Sequence, residues 1–348
     1  MSAEIVPACV GCLIGRVGSI AIMYLPLSAI REAQQCLSQY LPATRLAPAH
    51  SLSRITGSKV YLKLESELPT GSFKPRGALY ALALNLARRK ITEVIASSTG
   101  NHGAAVAYAA RLLRVPATIF LPENPNPVKR ARIAELGANI VEQGSADLAD
   151  ALQQASVYAQ TEDIYFLNDA TDPDLPAGPA TIACEIFEQL PETDAIYVPM
   201  GDTALIRGVA AAARHLSPKI KIVGVQAERA PAYYLSWKQG LPVRTDTCDT
   251  IADGLATRTP DANNVRAIRE LVDDVRLVTE EQMLAAIRHL LFEEHLVAEP
   301  AGAAATAALL QAPGQSSRNV VALLTGSNIA PEMLRSAVCG QMPEPTAR

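Results

Sequence analysis

Glu65-Ser66-Glu67-Leu68-Pro69-Thr70-Gly71-Ser72-Phe73-Lys74-Pro75-Arg76-Gly77-Ala78 is the stretch around which the rest of the chain is organised. Ahead of it, Lys59-Val60-Tyr61-Leu62-Lys63-Leu64 mixes charged with apolar and aromatic residues in a partly alternating pattern, which predicts a strand at or near a sheet surface. Pro69, Thr70 and Gly71 break that strand. After the break, Pro75 suits the first turn of a helix, where its missing N–H costs nothing. Leu79, Leu82, Leu84 and Leu86 carry a largely apolar helix on to Arg88, Arg89 and Lys90, cations that the C-terminal dipole favours. Lys74 therefore stands at a strand-to-helix junction beside free N–H groups. Desolvation there favours the neutral, nucleophilic amine that can hold a carbonyl compound covalently. The same residues also fit a surface lysine that happens to precede a helix.

The chain has 348 residues, enough for two domains or one large α/β unit. Hydrophobic residues make up 49% and charged residues 19%, a globular composition. A formal net charge of −4 gives no electrostatic reason to propose nucleic acid, and 5% aromatic residues argue against base-stacking surfaces. Alanine runs at Ala210 to Ala213 and Ala303 to Ala305 favour closely packed helices. Cys9, Cys12, Cys36, Cys184, Cys248 and Cys339 are scattered, which fits a reducing compartment, the cytoplasm, better than a disulfide framework. Cys9 and Cys12 form a C-x-x-C pair without a second pair to complete a zinc site. Residues 1–23 are moderately apolar, but Glu4 precedes and Arg16 interrupts them, so they match neither a secretory signal nor a membrane span. Met23 is an alternative start, with an adventitious leader before it.

Ser28 is the expected N-cap of a first helix that runs to about Tyr40, with Glu32 near the positive end of its dipole and Pro42 ending it. After the lysine helix, Glu93 to Ala96 reads as a strand feeding Ser97-Ser98-Thr99-Gly100-Asn101-His102-Gly103 and an Ala-rich helix from Ala104 to Leu113. Small and hydroxylic residues at such a turn make an anion cradle suited to a substrate carboxylate, although an ordinary capped turn uses the same residues. Strands at 117–121, 139–142 and 164–167 alternate with helices at 127–136 and 145–160, which implies parallel βαβ units. A helix at 176–190 leads to the strand Ala195 to Pro199, the turn Met200-Gly201-Asp202-Thr203-Ala204 and a helix from Leu205 to Leu216. This turn suits phosphate, although Asp202 brings a negative charge to it. No G-x-G-x-x-G opens any of these helices, which leaves nicotinamide binding without support.

Lys221 to Gln226 is a strand, Ile251 to Gly254 a turn, and Thr279 the expected N-cap of a helix from Glu280 to His295. Glu299-Pro300-Ala301-Gly302 opens a further Ala-rich helix. Val320 to Leu324 delivers Thr325-Gly326-Ser327-Asn328 to the C-terminal end of a strand, the ligand edge of open α/β sheets. Read singly, each of these late turns is connection chemistry.

Together they resemble the fold type II (tryptophan synthase β-like) pyridoxal-phosphate enzymes, the threonine dehydratase and serine racemase group in particular. The resemblance covers roughly residues 42–331. Gly71-Ser72-Phe73-Lys74-Pro75-Arg76-Gly77-Ala78 resembles the cofactor-lysine motif, Ser98-Thr99-Gly100-Asn101-His102-Gly103 the substrate loop, and Glu299 to Ala304 and Thr325 to Asn328 two later landmarks. It implies that Lys74 holds pyridoxal 5'-phosphate covalently and is the catalytic residue. It further implies that Asn101 bonds the ring oxygen, that Thr325 faces the pyridine nitrogen, and that Gly201, Asp202, Thr203 and Ala204 take the phosphate. Ser98, Thr99, Gly100 and His102 would bind the substrate. A neutral hydroxyl at the ring nitrogen does not stabilise its protonated form, so prompt loss of a β-substituent competes better.

Three departures from the pattern matter. The glycine-rich phosphate loop of dehydratases is here Gly201-Asp202-Thr203-Ala204. The racemase's second base, a serine, falls at Thr99, which counts against racemisation. Gln226 stands where racemase-like members carry a cation-binding carboxylate, so no metal is expected.

The expected architecture is α/β, with two domains of parallel sheet flanked by helices. A large domain comprises residues 24–82 and 169–340, a small one residues 83–168, and the cofactor lies between them. A chain ending near Arg348 leaves no room for a separate regulatory domain. The expected activity is β-elimination from threonine or serine, giving a 2-oxo acid and ammonia, with the amino acid as partner and neither nucleic acid nor membrane involved. Proteins of this kind are commonly homodimers. The rival readings are a threonine synthase-like replacement on phosphohomoserine and a non-catalytic cofactor-binding relative.

Overall fold

Strands of a parallel sheet that is covered on both faces must be apolar at nearly every position, and Ala195-Ile196-Tyr197-Val198-Pro199 and Ala117-Thr118-Ile119-Phe120-Leu121 are buried throughout. Each lies inside one of two sheets. The computed structural model describes residues 25–98, 100–123, 127–142, 148–312, 319–340 and 342. The Cys9 and Cys12 pair, Met23 and the expected leader lie outside the described residues.

In chain order, helix α1 (Leu27–Leu37), strand β1 (Leu46–Pro48), helix α2 (His50–Thr56) and strand β2 (Lys59–Leu64) lead to α3 (Lys74–Arg88), which begins on the lysine. There follow β3 (Glu93–Ser97), α4 (Asn101–Leu113), β4 (Ala117–Leu121), α5 (Pro127–Glu135), β5 (Asn139–Glu142), α6 (Leu148–Tyr158) and β6 (Ile164–Phe166). The remainder is α7 (Ala177–Gln189), β7 (Ala195–Pro199), α8 (Ala204–Leu216), β8 (Lys221–Ala227), α9 (Ala232–Gln239) and α10 (Ala262–Leu271). The last elements are β9 (Asp274–Val278), α11 (Glu280–Glu293), α12 (Pro300–Leu310), β10 (Asn319–Leu324) and α13 (Pro331–Cys339).

One sheet has the order β1-β2-β10-β7-β8-β9 and the other β5-β4-β3-β6. Among the described residues all pairings between these strands are parallel except that of β1 with β2. The period-2 alternation of strands sends neighbouring residues to opposite faces. In the six-stranded sheet, Leu62, Tyr197, Val223 and Ala322 pack on one side with α11 and α12, while Ile196, Ile222, Val321 and Leu323 pack on the other with α7 and α8. In the four-stranded sheet, Val94, Ala96 and Ile119 meet α3 and α4, and Ile95 and Phe120 meet Ala151 and Ala155 of α6. Late in the chain β10 returns to lie between β2 and β7. A crevice at the C-terminal strand ends beside such a reversal is where open α/β sheets take ligands.

Lys63 and Arg76 anchor the start of α3 to the large sheet. Arg76, 2% exposed, donates from Nε and Nη2 to Glu65 at 2.7 and 2.9 Å, and from Nη1 and Nη2 to Glu185 at 2.6 and 3.0 Å. Lys63 Nζ reaches the same Glu185 carboxylate at 2.6 Å and the Thr44 carbonyl at 2.7 Å. The two cations and two carboxylates balance, so the desolvation of each is offset by a partner.

Several expectations change. The strand Lys59 to Leu64 is interior, between β1 and β10, and its Lys63 is fully buried because Glu185 of α7 supplies a counter-charge. Ser28 is not the first N-cap. Pro26 holds that place with φ −67° and ψ 147°, and no side chain caps the helix, which ends at Leu37. Helix α4 begins at Asn101 rather than Ala104, so Asn101 and His102 belong to its first turn. The segments β1, α2, α9, α10, β9 and α13 were not anticipated, although Asp261 caps α10 by accepting from Asn263 N and Asn264 N. Thr279 does cap α11, in a capping box with Gln282.

Candidate active site

The turn bearing Lys74 is clipped to the end of β10. Gly71 takes φ +69°, a left-handed conformation that a side chain would strain, and this lets the chain double back. Phe73 N then donates to Thr325 O at 3.0 Å and Ser327 N to Gly71 O at 2.9 Å, with Ser72 and Gly326 bridged. Lys74 is thereby the first residue of α3, in line with the strand ends. Its Nζ donates to Asp169 Oδ2 at 2.6 Å, in a pair whose side chains are 21% and 25% exposed. The dry amine expected from the sequence is thus a paired one.

Asp169 sits in the turn after β6, where Asn168 Oδ1 accepts from Ala170 N at 2.9 Å and Thr171 N at 3.2 Å. Burial alone would raise Asp169, but the Lys74 ammonium beside it outweighs that and holds the carboxyl well below its ordinary range.

Asn101 opens α4 with both ends of its amide engaged. Its Nδ2 donates to Glu299 Oε1 at 2.6 Å, and its Oδ1 accepts from Asn328 Nδ2 at 2.6 Å. Asn328 in turn donates to Thr70 O at 2.9 Å and accepts from Arg132. The substrate-loop asparagine, the lysine turn and the two late landmarks are therefore one hydrogen-bonded unit. An amide carries two N–H donors, so Glu299 leaves Asn101 one to give.

Ser98 Oγ accepts from Gly100 N at 3.2 Å, which shapes the loop before the helix. Thr99 lies outside the described residues. His102 is 3% exposed and donates from Nε2 to Leu167 O at 2.8 Å, and burial lowers its pKa against the raising effect of Asp169. It ties α4 to the strand end that carries Asp169.

Gly201, Asp202, Thr203 and Ala204 form the turn from β7 into α8. A Cβ on Gly201 would strike the Gly254 carbonyl, so only glycine permits this approach of two backbones. Thr203 occupies the helix cap with φ +70°. The first N–H groups of α8 lack helical acceptors and carry the positive end of its dipole. Asp202 Oδ1 accepts from Thr257 Oγ1 at 3.0 Å. Burial, with Asp169 as the next cause, pushes the Asp202 carboxyl up to about 6. The carboxyl is thus tethered to Thr257 while still feeling Asp169 and Lys74.

Thr325, 4% exposed, follows β10 directly. Gln226 is fully buried and accepts from Tyr234 N at 2.8 Å, capping α9. Among the described residues no group of three His, Cys, Asp or Glu side chains could hold a metal ion, and no helix is long and apolar enough to cross a membrane.

These residues suit a phosphorylated aromatic aldehyde. Lys74 offers the amine, Asn101 a spare donor, Thr325 a neutral hydroxyl, and the start of α8 an anion site. Six buried side-chain polar atoms lack partners among the described residues, and Ser97 Oγ at the end of β3, His102 Nδ1 on α4 and Arg207 Nη2 on α8 are among them. Such orphans are costly unless a ligand meets them.

Sequence reasoning missed Asp169, the contact of Glu299 with Asn101, and Arg207. The signal for Asp169 was positional, an Asn-Asp pair directly after a parallel strand. Arg207 was hidden as one cation in an alanine-rich helix.

The family described as pyridoxal-phosphate dependent enzyme matches residues 37–326. An L-threonine ammonia-lyase of Thermotoga maritima is 35% identical over 89% of this chain and 77% of that protein. One of Geobacter sulfurreducens is 38% identical over 88% and 76%. The structure of maize serine racemase superposes with a TM-score of 0.84 at 28% identity, covering 90% of this chain and 96% of that one. The processed form of threonine deaminase isoform 2 from Solanum lycopersicum superposes with a TM-score of 0.84 at 27% identity, covering 94% and 99%.

Proposed function

The chain belongs to the pyridoxal-phosphate-dependent enzymes of fold type II, and from that premise we propose that it is an ammonia-lyase converting L-threonine or L-serine to a 2-oxo acid and ammonia. The observation that carries this reading is the junction of Lys74, Asn101 and Thr325, three separate segments joined by hydrogen bonds at one edge of the sheet. L-Threonine ammonia-lyases are among the relatives that match most of the chain.

When bound, the cofactor supplies an electron sink for the pair left at the substrate's α-carbon. Lys74 Nζ would hold the cofactor and, when free of it, would take the α-proton as general base. Asp169 orients that amine and, staying ionised, stabilises it after it has taken the proton. Asn101 would give its spare amide hydrogen to the ring oxygen, its plane fixed by Glu299 and Asn328. The start of α8, residues 201–204, receives the phosphate. Ser97 Oγ and the turn from Ser98 to Gly100 hold the substrate carboxylate. His102 positions this turn by fixing α4 to the Leu167 carbonyl. Thr325 would offer the cofactor ring a neutral hydroxyl rather than an anionic partner, which suits prompt loss of the β-hydroxyl.

The large unit comprises residues 24–82 and 169–340 and the small one residues 83–168. The protein acts as a homodimer in the cytoplasm, a compartment that suits cysteines outside disulfides at Cys36, Cys184, Cys248 and Cys339. Light scattering on the eluting protein tests the dimer.

A substrate panel tests the activity. Threonine and serine should give 2-oxo acid and ammonia in equal amounts, with no phosphate released from phosphohomoserine. Robust threonine formation from phosphohomoserine, with negligible oxo acid from threonine and serine, would overturn the assignment and leave the fold intact.

A further inference from the structure

We propose that Arg207 completes the phosphate site of this chain, supplying a guanidinium donor where a glycine-rich turn has been replaced by Asp202-Thr203-Ala204. The inference rests on the reading that the cofactor is held at Lys74.

Arg207 lies one turn into α8, and helical side chains lean back toward the N-terminus of their helix. Its Nε accordingly donates to Oγ1 of Thr203, the cap residue, at 3.1 Å. That bond fixes the plane of the guanidinium over the first turn of α8, where free N–H groups already favour an anion. Nη2 is buried and has no partner among the described residues. Burial lowers the pKa of Arg207, while Tyr233, Asp261 and Asp202 pull it back up. Asp261 and Asp202 act on it only through space, since neither hydrogen-bonds Nη2. A half-buried cation whose buried Nη2 is idle, one turn from the start of a helix, suits an anion from outside the chain.

The charge count supports the same conclusion. A phosphate dianion set beside the Asp202 carboxylate meets repulsion that an uncharged turn would not present. Arg207 brings the missing positive charge, and the fork of its guanidinium matches phosphate oxygens. Thr203 serves as the hinge between the two. Its hydroxyl holds Nε, which leaves Nη2 to the ligand.

Arg207→Gln and Arg207→Lys, each stripped of cofactor and reconstituted, test the inference against wild type. Affinities are read from the visible absorbance of pyridoxal 5'-phosphate and, in parallel, of pyridoxal, which lacks the phosphate. Losing a charge-assisted bond should weaken pyridoxal 5'-phosphate about 10- to 100-fold in Arg207→Gln and less in Arg207→Lys. Pyridoxal should bind all three proteins alike. The 31P resonance of the loaded protein, independent of pH in wild type, should titrate like an exposed phosphate in Arg207→Gln. Borohydride reduction and peptide mapping should place the cofactor on Lys74 in every protein. Unchanged affinity for pyridoxal 5'-phosphate, or an equal loss for pyridoxal, overturns the role of Arg207 and spares the site at Lys74. A label on another lysine removes that site and this inference with it.

Discussion

Lys74 Nζ and Asp169 Oδ2 stand 2.6 Å apart, so the first residue of α3 is paired to the turn behind β6. The Asp169 carboxylate engages the amine proposed to attack the cofactor's aldehyde, so this pair would have to open before the cofactor is captured. Asp169→Asn should therefore speed covalent capture of pyridoxal 5'-phosphate several-fold, measured by the rate at which borohydride fixes it to Lys74, while Lys74→Ala should abolish labelling. The same pair contributes to stability. Since the folded pKa of Asp169 lies below its unfolded value, the contribution is present above about pH 4 and is lost as pH falls through the lower folded value. The urea midpoint gap between wild type and Asp169→Asn, about 1 kcal/mol for a partly exposed pair, should hold from pH 5 to 8 and close in acid.

Asp202 should behave with the opposite sign. Its carboxyl is pushed up to about 6 by burial and by Asp169, so below pH 4 both folded and unfolded chains carry it neutral. Between there and about pH 6 the unfolded chain loses the proton more readily, and stability falls as pH rises. A shift of this size corresponds to roughly 2–3 kcal/mol. Asp202→Asn keeps an oxygen for Thr257 and removes the charge. Cofactor-free Asp202→Asn should therefore unfold at higher urea than wild type at pH 8 and at about the same urea at pH 3.5. Equal midpoints at both pH values would show that the carboxyl is not strained by its surroundings.

Arg76 looks from the sequence like part of the cofactor-lysine motif, but its contacts are all structural. Removing it strands the carboxylates of Glu65 and Glu185, buried at 0% and 8% exposure. Breaking a buried charge pair in this way costs about 3–5 kcal/mol. Arg76→Ala should lower the unfolding free energy by that amount and drag cofactor binding down with it. Arg76→Lys, which restores charge without the fork, should recover only part. A loss of activity in Arg76→Ala with an unchanged urea midpoint would move Arg76 from the scaffold to the chemistry.

What the sequence revealed depended on whether the signal was local. The turn at Lys74 was legible because strand, break and Pro75 follow one another within twenty residues, and Thr279 was legible because a capping box spans four. Asp169 and Glu299 were not, since their partners Lys74 and Asn101 lie 95 and 198 residues away along the chain. Lys63 misled for a related reason. A lysine in a strand normally marks a solvent face, and only Glu185, 122 residues on, makes its burial tolerable. Asp202 could be recognised as out of place in a phosphate turn, whereas its tether to Thr257 and the guanidinium of Arg207 above it could not.

Thr203 offers a last test, because it is a β-branched residue held at φ +70° where a glycine would sit without strain. Two effects compete at this position. The left-handed conformation costs any residue with a Cβ about 1–2 kcal/mol, and the Thr203 hydroxyl gains a bond from the charged Nε of Arg207 worth a similar amount. Thr203→Ala keeps the strain and loses the bond, so it should destabilise the cofactor-free protein by about 1–2 kcal/mol. Thr203→Gly loses the same bond and relieves the strain, so it should be more stable than Thr203→Ala by about 1 kcal/mol, even though glycine is the more flexible residue when unfolded. Urea midpoints of the two variants give this difference directly. If Thr203→Gly is no more stable than Thr203→Ala, the turn stores no strain, and the threonine is there for its hydroxyl alone. If the predicted order holds, the chain retains a strained cap residue in order to hold Arg207.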